Sequence, residues 1–450
     1  MLLGLLTTLT LSLQGYTIED LGTLSATFTD GVRAASIDNL GRVHAENDKT
    51  APGGVGVQWR SFIWTSGNRQ EVFPPVSGST WSGGSNDSGE VAGYYTAVGA
   101  GGAALPLHGY IWRDGHPIED VILGNKGFTR IFDINADGYT CGAYLSDDLY
   151  GIVYQNHAFI RRDDGVWLDI GTLGGRDSYA HALNDRLMVT GMTRGAANEH
   201  LGFAWQYATG MLNIGHLGGT FCDPEDIDNH GRIVGASKDS LGSTRPFIWE
   251  SGTIRDLGTL GGTEGRAKGI NDHGDVVGNA HDGSGVKRAT LWPNSGAAID
   301  LNQFLPVGSG WDLSGAHEIN ELGEITGTGL LNGVQRAYRL SPVLNAPRVS
   351  GFLPGLVGRA NIVRGLEFTP GATIDLYGGT QSGSTIVPCG AVVDINNARL
   401  VGSTIADSEG RIALSQQLPI PAAGRTVFLQ AVEVASCTVG ELLTQRLFLR

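Results

Sequence analysis

The chain is poor in cysteine, methionine and charge, and each shortage narrows what it can be. Four cysteines and four methionines stand among 450 residues, too few for a string of small disulfide-knitted modules. No Cys-x-x-Cys or Cys-x-x-His pair occurs, so the usual spacing of a structural zinc site is missing. Charged residues reach 17%, and Lys+Arg 31 against Asp+Glu 45 leaves a net charge of −14. That deficit of positive charge argues against nucleic acid or an anionic membrane as the main partner. Beyond the first 15 residues no apolar run is long enough to span a bilayer. The short words G-x-S-x-G, H-E-x-x-H, the P-loop and G-x-G-x-x-G are all absent. This removes the enzyme classes that announce themselves in one motif, and leaves those whose sites are assembled from scattered loops.

Glycine is abundant, at 69 residues, about twice the ~7% of average usage, which favours turns over helices. With 41% hydrophobic residues and nine tryptophans the chain can bury a core and is not a disordered polymer. Residues 1–15 (MLLGLLTTLTLSLQG) read as a signal-peptide core that lacks a basic leading segment. Their alternative is a plain N-terminal strand.

A turn motif of the form I-N-D-x-G recurs seven times, ending at positions 41, 89, 138, 187, 231, 274 and 323. A period of 43 to 49 residues suits four short strands per repeat. The Asn/Asp turn with its glycine predicts a hairpin between strands A and B. Strand C follows as RSFIW (60–64), HGYIW (108–112), HAFIR (157–161), LGFAW (201–205), RPFIW (245–249), RATLW (288–292) and RAYRL (336–340), and strand D is clearest as LDIGTLGG (168–175). Only six D strands follow their own repeat. EDLGTL (19–24) stands ahead of the first hairpin and can supply the seventh, which predicts an all-β, seven-bladed β-propeller over residues 16–340 closed by an N-terminal strand. A linear β-solenoid is the alternative that ring closure disfavours.

These repeats resemble the extracellular HAF family, whose His-Ala-Phe stands here as His157-Ala158-Phe159. The resemblance covers residues 16–340 and implies a secreted bacterial protein, extracellular or at the cell surface; it implies no catalytic residues. Leu187 replaces the turn glycine, and Arg161 and Leu340 replace the strand-C tryptophan.

Residues 341–349, with Pro342 and Pro347, read as a linker, and 350–450 as a small C-terminal β-sandwich resembling accessory modules of secreted bacterial proteins. Cys389 and Cys437, at the ends of one short stretch, are expected to form a disulfide. Cys141 and Cys222 are expected to be buried as small hydrophobes.

Equivalent positions of a ring lie at similar height, so residue classes that recur are informative. The first residue of strand C is Arg60, His108, His157, Leu201, Arg245, Arg288 and Arg336, basic in six repeats of an acidic chain. Either these side chains pair with carboxylates or carbonyls as structural groups, or they form a ring of anion or hydroxyl binders. The D–A loops beside them carry Phe28, Trp81, Phe128, Tyr179, Phe221 and Trp311, either plugging gaps between blades or forming platforms on which sugar rings stack. Trp64, Trp112, Trp205, Trp249 and Trp292 are expected in the core between blades. The B–C loops of blades 1–3 hold Glu46, Asp48, Asp147 and Asp148. No cofactor is indicated; these carboxylates could act as Ca²⁺ ligands or as general acid and base, although no EF-hand or nonapeptide calcium spacing is present. Tyr144, Tyr150, Tyr154, His157, Arg130 and Arg161 could supply proton transfer in the third repeat.

The expectation is a secreted repeat protein without catalysis. It binds a polysaccharide, an acidic one in preference, or a cell-surface component through Arg60, His108, His157, Arg245, Arg288, Arg336, Trp81, Phe128, Tyr179 and Trp311, with affinity falling as salt rises. The alternatives are a polysaccharide lyase or glycosidase with its site on the loops of blades 1–3, and a self-associating structural surface protein.

Overall fold

A computed structural model describes residues 15–24, 31–50, 57–72, 77–98, 104–124, 128–147, 154–294, 296–343, 348–353, 360–408, 410–417 and 425–446. The signal-peptide reading of residues 1–14 and the side chain of Phe28 lie outside them. The described residues are all-β apart from one 3-10 turn at Leu301–Phe304, and none of them forms a helix long and apolar enough to cross a membrane.

Each sequence repeat folds as a four-stranded antiparallel meander in the order A-B-C-D. In the third these strands are Thr129–Ile134, Thr140–Asp147, Tyr154–Arg161 and Trp167–Gly171. The fourth and fifth meanders are joined by a single parallel bridge, His200 to Phe221. The seventh takes its D strand from the far end of the chain: Tyr16–Asp20 pairs antiparallel with Val334–Pro342, Tyr16 opposite Pro342 and Asp20 opposite Tyr338. The strand expected at 19–24 therefore starts three residues earlier, and Ser341-Pro342 belong to a strand instead of a linker. Pro342 has no N–H to donate, which its place at a strand terminus tolerates. The arrangement is propeller-like: each meander packs on the next, and the first on the seventh.

The strand-C tryptophans Trp64, Trp112, Trp205, Trp249 and Trp292 are all buried, as are Cys141 and Cys222. They fill the space between adjacent meanders.

The turn motif explains how the meanders are held together. Its second residue, usually asparagine, does two jobs. Asn86 Oδ1 accepts from Ser88 N and Glu90 N (both 3.1 Å), fixing its own turn. Its Nδ2 then donates across to Asn135 O at 2.9 Å in the next repeat. Asn135 does the same to Asn184 O (3.2 Å), Asn184 to Asp228 O (2.8 Å), Asn271 to Asn320 O (3.1 Å), and Asn320 back to Asp38 O (2.9 Å).

Repeats 1 and 5 carry Asp38 and Asp228 at this position, and an aspartate has no donor to send across. Both have an arginine four residues on. Arg42 pairs with Asp38 (2.6 Å) and donates to Asn86 O and Asp87 O (3.4 Å); Arg232 pairs with Asp228 (2.5 Å) and donates to Asp272 O (2.8 Å). The arginine replaces the missing amide donor.

A second set of bonds joins the next turn position, where a side-chain oxygen accepts the equivalent N–H of the preceding repeat. Asp87 accepts from Asn39 (2.9 Å), Asp185 from Ala136 (2.9 Å), Asn229 from Asp185 (2.9 Å), Asp272 from Asn229 (2.7 Å), Glu321 from Asp272 (2.9 Å) and Asn39 from Glu321 (2.8 Å). The series skips one junction, opposite Ala136, which has no side-chain acceptor. The turn glycines sit at positive φ, from 70° at Gly41 to 86° at Gly89 and Gly274. Leu187 adopts φ 60° in the same place, a conformation costly for an L side chain, while its side chain packs against the core around Phe203 and Ile170.

The C-terminal strands form a three-stranded sheet (Arg348–Leu353, Ala360–Leu366, Ile412–Gln417) and a five-stranded sheet around Thr373–Gly379 and Thr426–Glu433. Val349, Val363 and Ile412 of the first share one core with Ile374, Leu376, Leu429 and Ala431 of the second. A disulfide joins Cys389 to Cys437, whose Cα atoms lie 5.9 Å apart. Three arginines of this region dock on the A–B turns: Arg411 holds both oxygens of Glu324 (2.5 and 3.1 Å), Arg348 donates to Leu322 O (3.2 Å) and Arg364 to Asp87 O (3.3 Å). Burial alone would raise the fully enclosed Glu324 carboxyl, but Arg411 and Arg339 outweigh it and hold it below its ordinary range.

Two outcomes follow. Arg232→Ala leaves Asp228 buried without its cation and removes the cross-repeat donor, so it is expected to lower stability by about 3 kcal/mol. Adding Asp228→Asn restores an amide donor and is expected to recover most of that loss; denaturant melts of the single and double variants measure it, and additive losses would contradict the substitution logic. Deleting residues 16–24 removes buried Tyr16 and Leu21, about 2 kcal/mol each, and bares a sheet edge. A melting midpoint equal to that of the intact chain would show that this strand does not close the seventh sheet.

Candidate functional site

The six basic residues that open strand C all face carboxylates, five of them on the adjoining strand D. Across from the third residue of strand C stands Glu71, Asp120, Asp169, Asn213, Asp256, Asp300 or Asp20. Arg60 lies 3.9 Å from Glu71, His108 3.1 Å from Asp120, His157 2.7 Å from Asp169, Arg245 2.8 Å from Asp256 and Arg336 3.7 Å from Asp20. The exception in the basic set, Leu201, belongs to the repeat that has Asn213 in place of the acid. Arg288 pairs instead with Asp282 (3.3 Å) and with Asp312 of the next repeat (2.8 Å), while Asp300 caps the 3-10 turn. Tyr95 and Tyr144 donate to the same carboxylates, Asp120 (3.0 Å) and Asp169 (2.8 Å). The bond to Asp169 raises His157, and His157 in turn holds Asp169 low in spite of its partial burial. Of the proton-transfer set considered for the third repeat, Tyr144 and His157 meet at Asp169, whereas Arg161 turns to Glu119 of repeat 2 and Arg130 lies over Phe128 and Tyr94. Tyr150, Asp148 and the side chains of Tyr154 and Asp147 lie outside the described residues.

The aromatic residues separate into two groups. Trp311 packs edge-on against Tyr338 (5.9 Å) in the core of repeat 7. Trp81 and Phe128 instead join a ladder on the inner strands, at the end opposite the A–B turns. Trp81 stacks on Tyr94 (5.2 Å, 19°), Tyr94 meets Phe132 edge-on (6.0 Å), and Phe132 meets His181 (5.9 Å). The Arg130 guanidinium lies over Phe128 (4.9 Å) and Tyr94 (5.9 Å), and its charge also acts on the half-buried Tyr179.

Alignment on the turn motif shows the origin of this ladder. Four residues before the motif's opening residue, inner strands carry Arg33, Trp81, Arg130, Tyr179, Asp223, Arg266 and Gly315. Arginine and aromatic alternate across the first four. Arg33 lies over Trp59 (4.6 Å) and Arg266 over Phe221 (5.9 Å). Tyr94, Phe132, His181 and Trp59 escape a reading that weighs strand C, the D–A aromatics and the carboxylates of the B–C loops; comparison of this inner-strand position across repeats is the signal that exposes the arginines.

Deeper along the axis, a cavity of about 890 Å³ is lined by Phe132, His181, Glu225, Lys268 and His317, the residues at a β-bulge in each inner strand, and by the turn carboxylates. Leu353, Ile362 and Ser415 of the C-terminal sheets line it from the turn side. His181 Nδ1 donates to Pro224 O and His317 Nδ1 to Ala34 O (both 2.7 Å), while Lys268 pairs with Glu225 at 2.5 Å.

Among the described residues, Asp228, His230 and Asp272 bring three ligand-type atoms within 4.8 Å. Asp228 is already held by Arg232 and Asp272 by Asn229 N, so these carboxylates serve the ring. Of the carboxylates considered for Ca²⁺, Glu46 accepts from Ser82 N at 2.6 Å and locks repeat 1 to repeat 2.

Burial pushes the carboxyls of Asp38, Asp185 and Asp226 up to about 6, Asp228 to about 7 and Asp133 to about 8. Unfolded aspartates titrate near ~3.9. The folded state therefore binds more protons between these limits, and the contribution of these groups, complete below pH ~4, is lost as pH rises through 6 to 8. A higher melting midpoint at pH 5 than at pH 8 is expected; the reverse order would contradict these shifts.

No family model and no curated protein matches the chain. Solved structures similar to it include the putative TolB from Agrobacterium tumefaciens (15% identity, TM-score 0.39, 61% of this chain and 95% of that one). A second is the Pyrococcus horikoshii acylaminoacyl peptidase (13%, TM-score 0.44, 77% of this chain and 60% of that one). A third is a gluconolactonase from Xanthomonas campestris (9%, TM-score 0.35, 73% and 90%).

Proposed function

We propose that the chain is a secreted repeat protein of the HAF type, a seven-bladed β-propeller followed by a C-terminal β-sandwich, that binds a glycan through the loop face of the propeller. The observation that carries this reading is the ladder Trp81–Tyr94–Phe132 with Arg130 and Phe128 beside it. Flat apolar rings next to a hydrogen-bonding cation suit the two faces of a sugar, which is apolar on its C–H side and polar at its hydroxyls. The opposite face is in contact with Arg348, Arg364 and Arg411 of the C-terminal sheets, which favours the loop face as the partner's side.

The enzyme reading is weaker. Its best residues, the Tyr95–Asp120–His108 and Tyr144–Asp169–His157 sets, occur twice in equivalent places. Other repeats have a plain arginine–carboxylate pair there, so the sets serve as packing devices of the outer strands.

Affinity electrophoresis of the full chain against neutral and acidic polysaccharides tests the reading. Retardation by at least one polymer is expected, and Trp81→Ala is expected to weaken it about tenfold, ~1.4 kcal/mol, with an unchanged fold by circular dichroism. Absence of retardation by every polymer, or equal retardation of the variant, would overturn it.

A further inference from the structure

Arg130 is set apart from the other arginines of the inner strands. Arg266 has Asp223 at 3.6 Å, and Arg33 is exposed to solvent. Arg130 is half-buried between Phe128 and Tyr94, and among the described residues its Nε is enclosed with no hydrogen-bond partner. No carboxylate of the described residues forms an ion pair with it. The two acids whose charge reaches the neighbouring phenols, Glu46 and Asp177, are committed elsewhere. Glu46 accepts from Ser82 N (2.6 Å), and Asp177 accepts from Asn156 N (2.9 Å) and Nδ2 (3.3 Å).

A guanidinium drawn partly out of water without a counter-ion carries a desolvation cost that ring faces offset only in part. A planar carboxylate returns it best, because two parallel N–H···O bonds match the guanidinium fork. Within the guanidinium only Nε is an enclosed atom without a partner, so an anion would meet Arg130 at its terminal Nη atoms. The −14 charge of the chain makes such a cation a local exception that concentrates anion binding at one point.

We propose that Arg130 is the anion subsite of the loop face, taking the carboxylate of a uronic acid residue while the sugar ring lies against the Trp81–Tyr94 stack. This rests on the glycan-binding reading above and moves the anion contact from the strand-C arginines to Arg130, with a carboxylate as its partner.

The test compares polygalacturonate with the same polymer fully methyl-esterified, which keeps the backbone and removes the charge, and includes dextran sulfate beside dextran. Wild-type protein is expected to bind polygalacturonate at least tenfold more tightly than its ester, with affinity falling as salt rises. Arg130→Gln should bring acid and ester to equal affinity, and Arg130→Lys, which keeps the charge without the fork, should retain the salt dependence with a smaller preference. Arg33→Gln should leave the preference unchanged. Equal binding of acid and ester by the wild type would overturn the anion subsite and leave glycan binding standing, whereas no binding of any polymer, neutral ones included, would remove the glycan reading itself. A preference for dextran sulfate over polygalacturonate would overturn the assignment to a carboxylate.

Discussion

The structure depends on one recurring interaction: in five of the seven A–B turns a buried side-chain amide ties its own hairpin with its oxygen and the next repeat with its nitrogen. Sheets stacked through apolar faces alone could slide, because dispersion and the hydrophobic effect are not directional. Hydrogen bonds fix the register, and leaving a buried partner unsatisfied carries a penalty. The pairs Asp38–Arg42 and Asp228–Arg232 show that the donor is what matters. Where the amide is lost, a guanidinium arrives four residues later and reaches the neighbouring carbonyl.

This constraint divides the molecule into a fixed end and a free end. The turn end is closed by bonds between repeats and covered by the C-terminal sheets, whose Arg411 neutralises the enclosed Glu324. Carboxylates gathered there are pushed toward protonation by burial, so the same end makes stability sensitive to pH. At the other end, the inner strands carry arginine and aromatic side chains that no shared motif dictates. Residues there are free to differ from repeat to repeat, and that variation suits recognition.

Much of the fold was legible in the sequence because a strict repeat converts weak local signals into a count. The strand order, the displaced N-terminal strand, the buried tryptophans and the Cys389–Cys437 bridge were all readable from spacing. The role of the turn asparagine across repeats was not, since a hairpin signal is local and says nothing of the neighbouring turn. The basic ring of strand C was legible as a pattern, but its meaning lay in Glu71, Asp120, Asp169 and Asp256 on strand D. Aligning C with D would have shown Leu201 beside Asn213 as the neutral counterpart. The ladder around Arg130 was hidden for a further reason: Tyr94 and Phe132 come from different repeats and meet only once the sheets are packed.

Hydrogen exchange of the full chain, followed by mass spectrometry on peptides spanning each A–B turn, most directly tests whether the ring is closed. In a closed ring no turn is terminal, so the turns at Asp38–Gly41 and Asn320–Gly323 should be protected as strongly as the one at Asn184–Leu187. Markedly faster exchange at the first and seventh turns than at the fourth would mean an open arc of repeats, and would contradict the bonds from Asn320 to Asp38 and from Glu321 to Asn39 on which the whole arrangement rests.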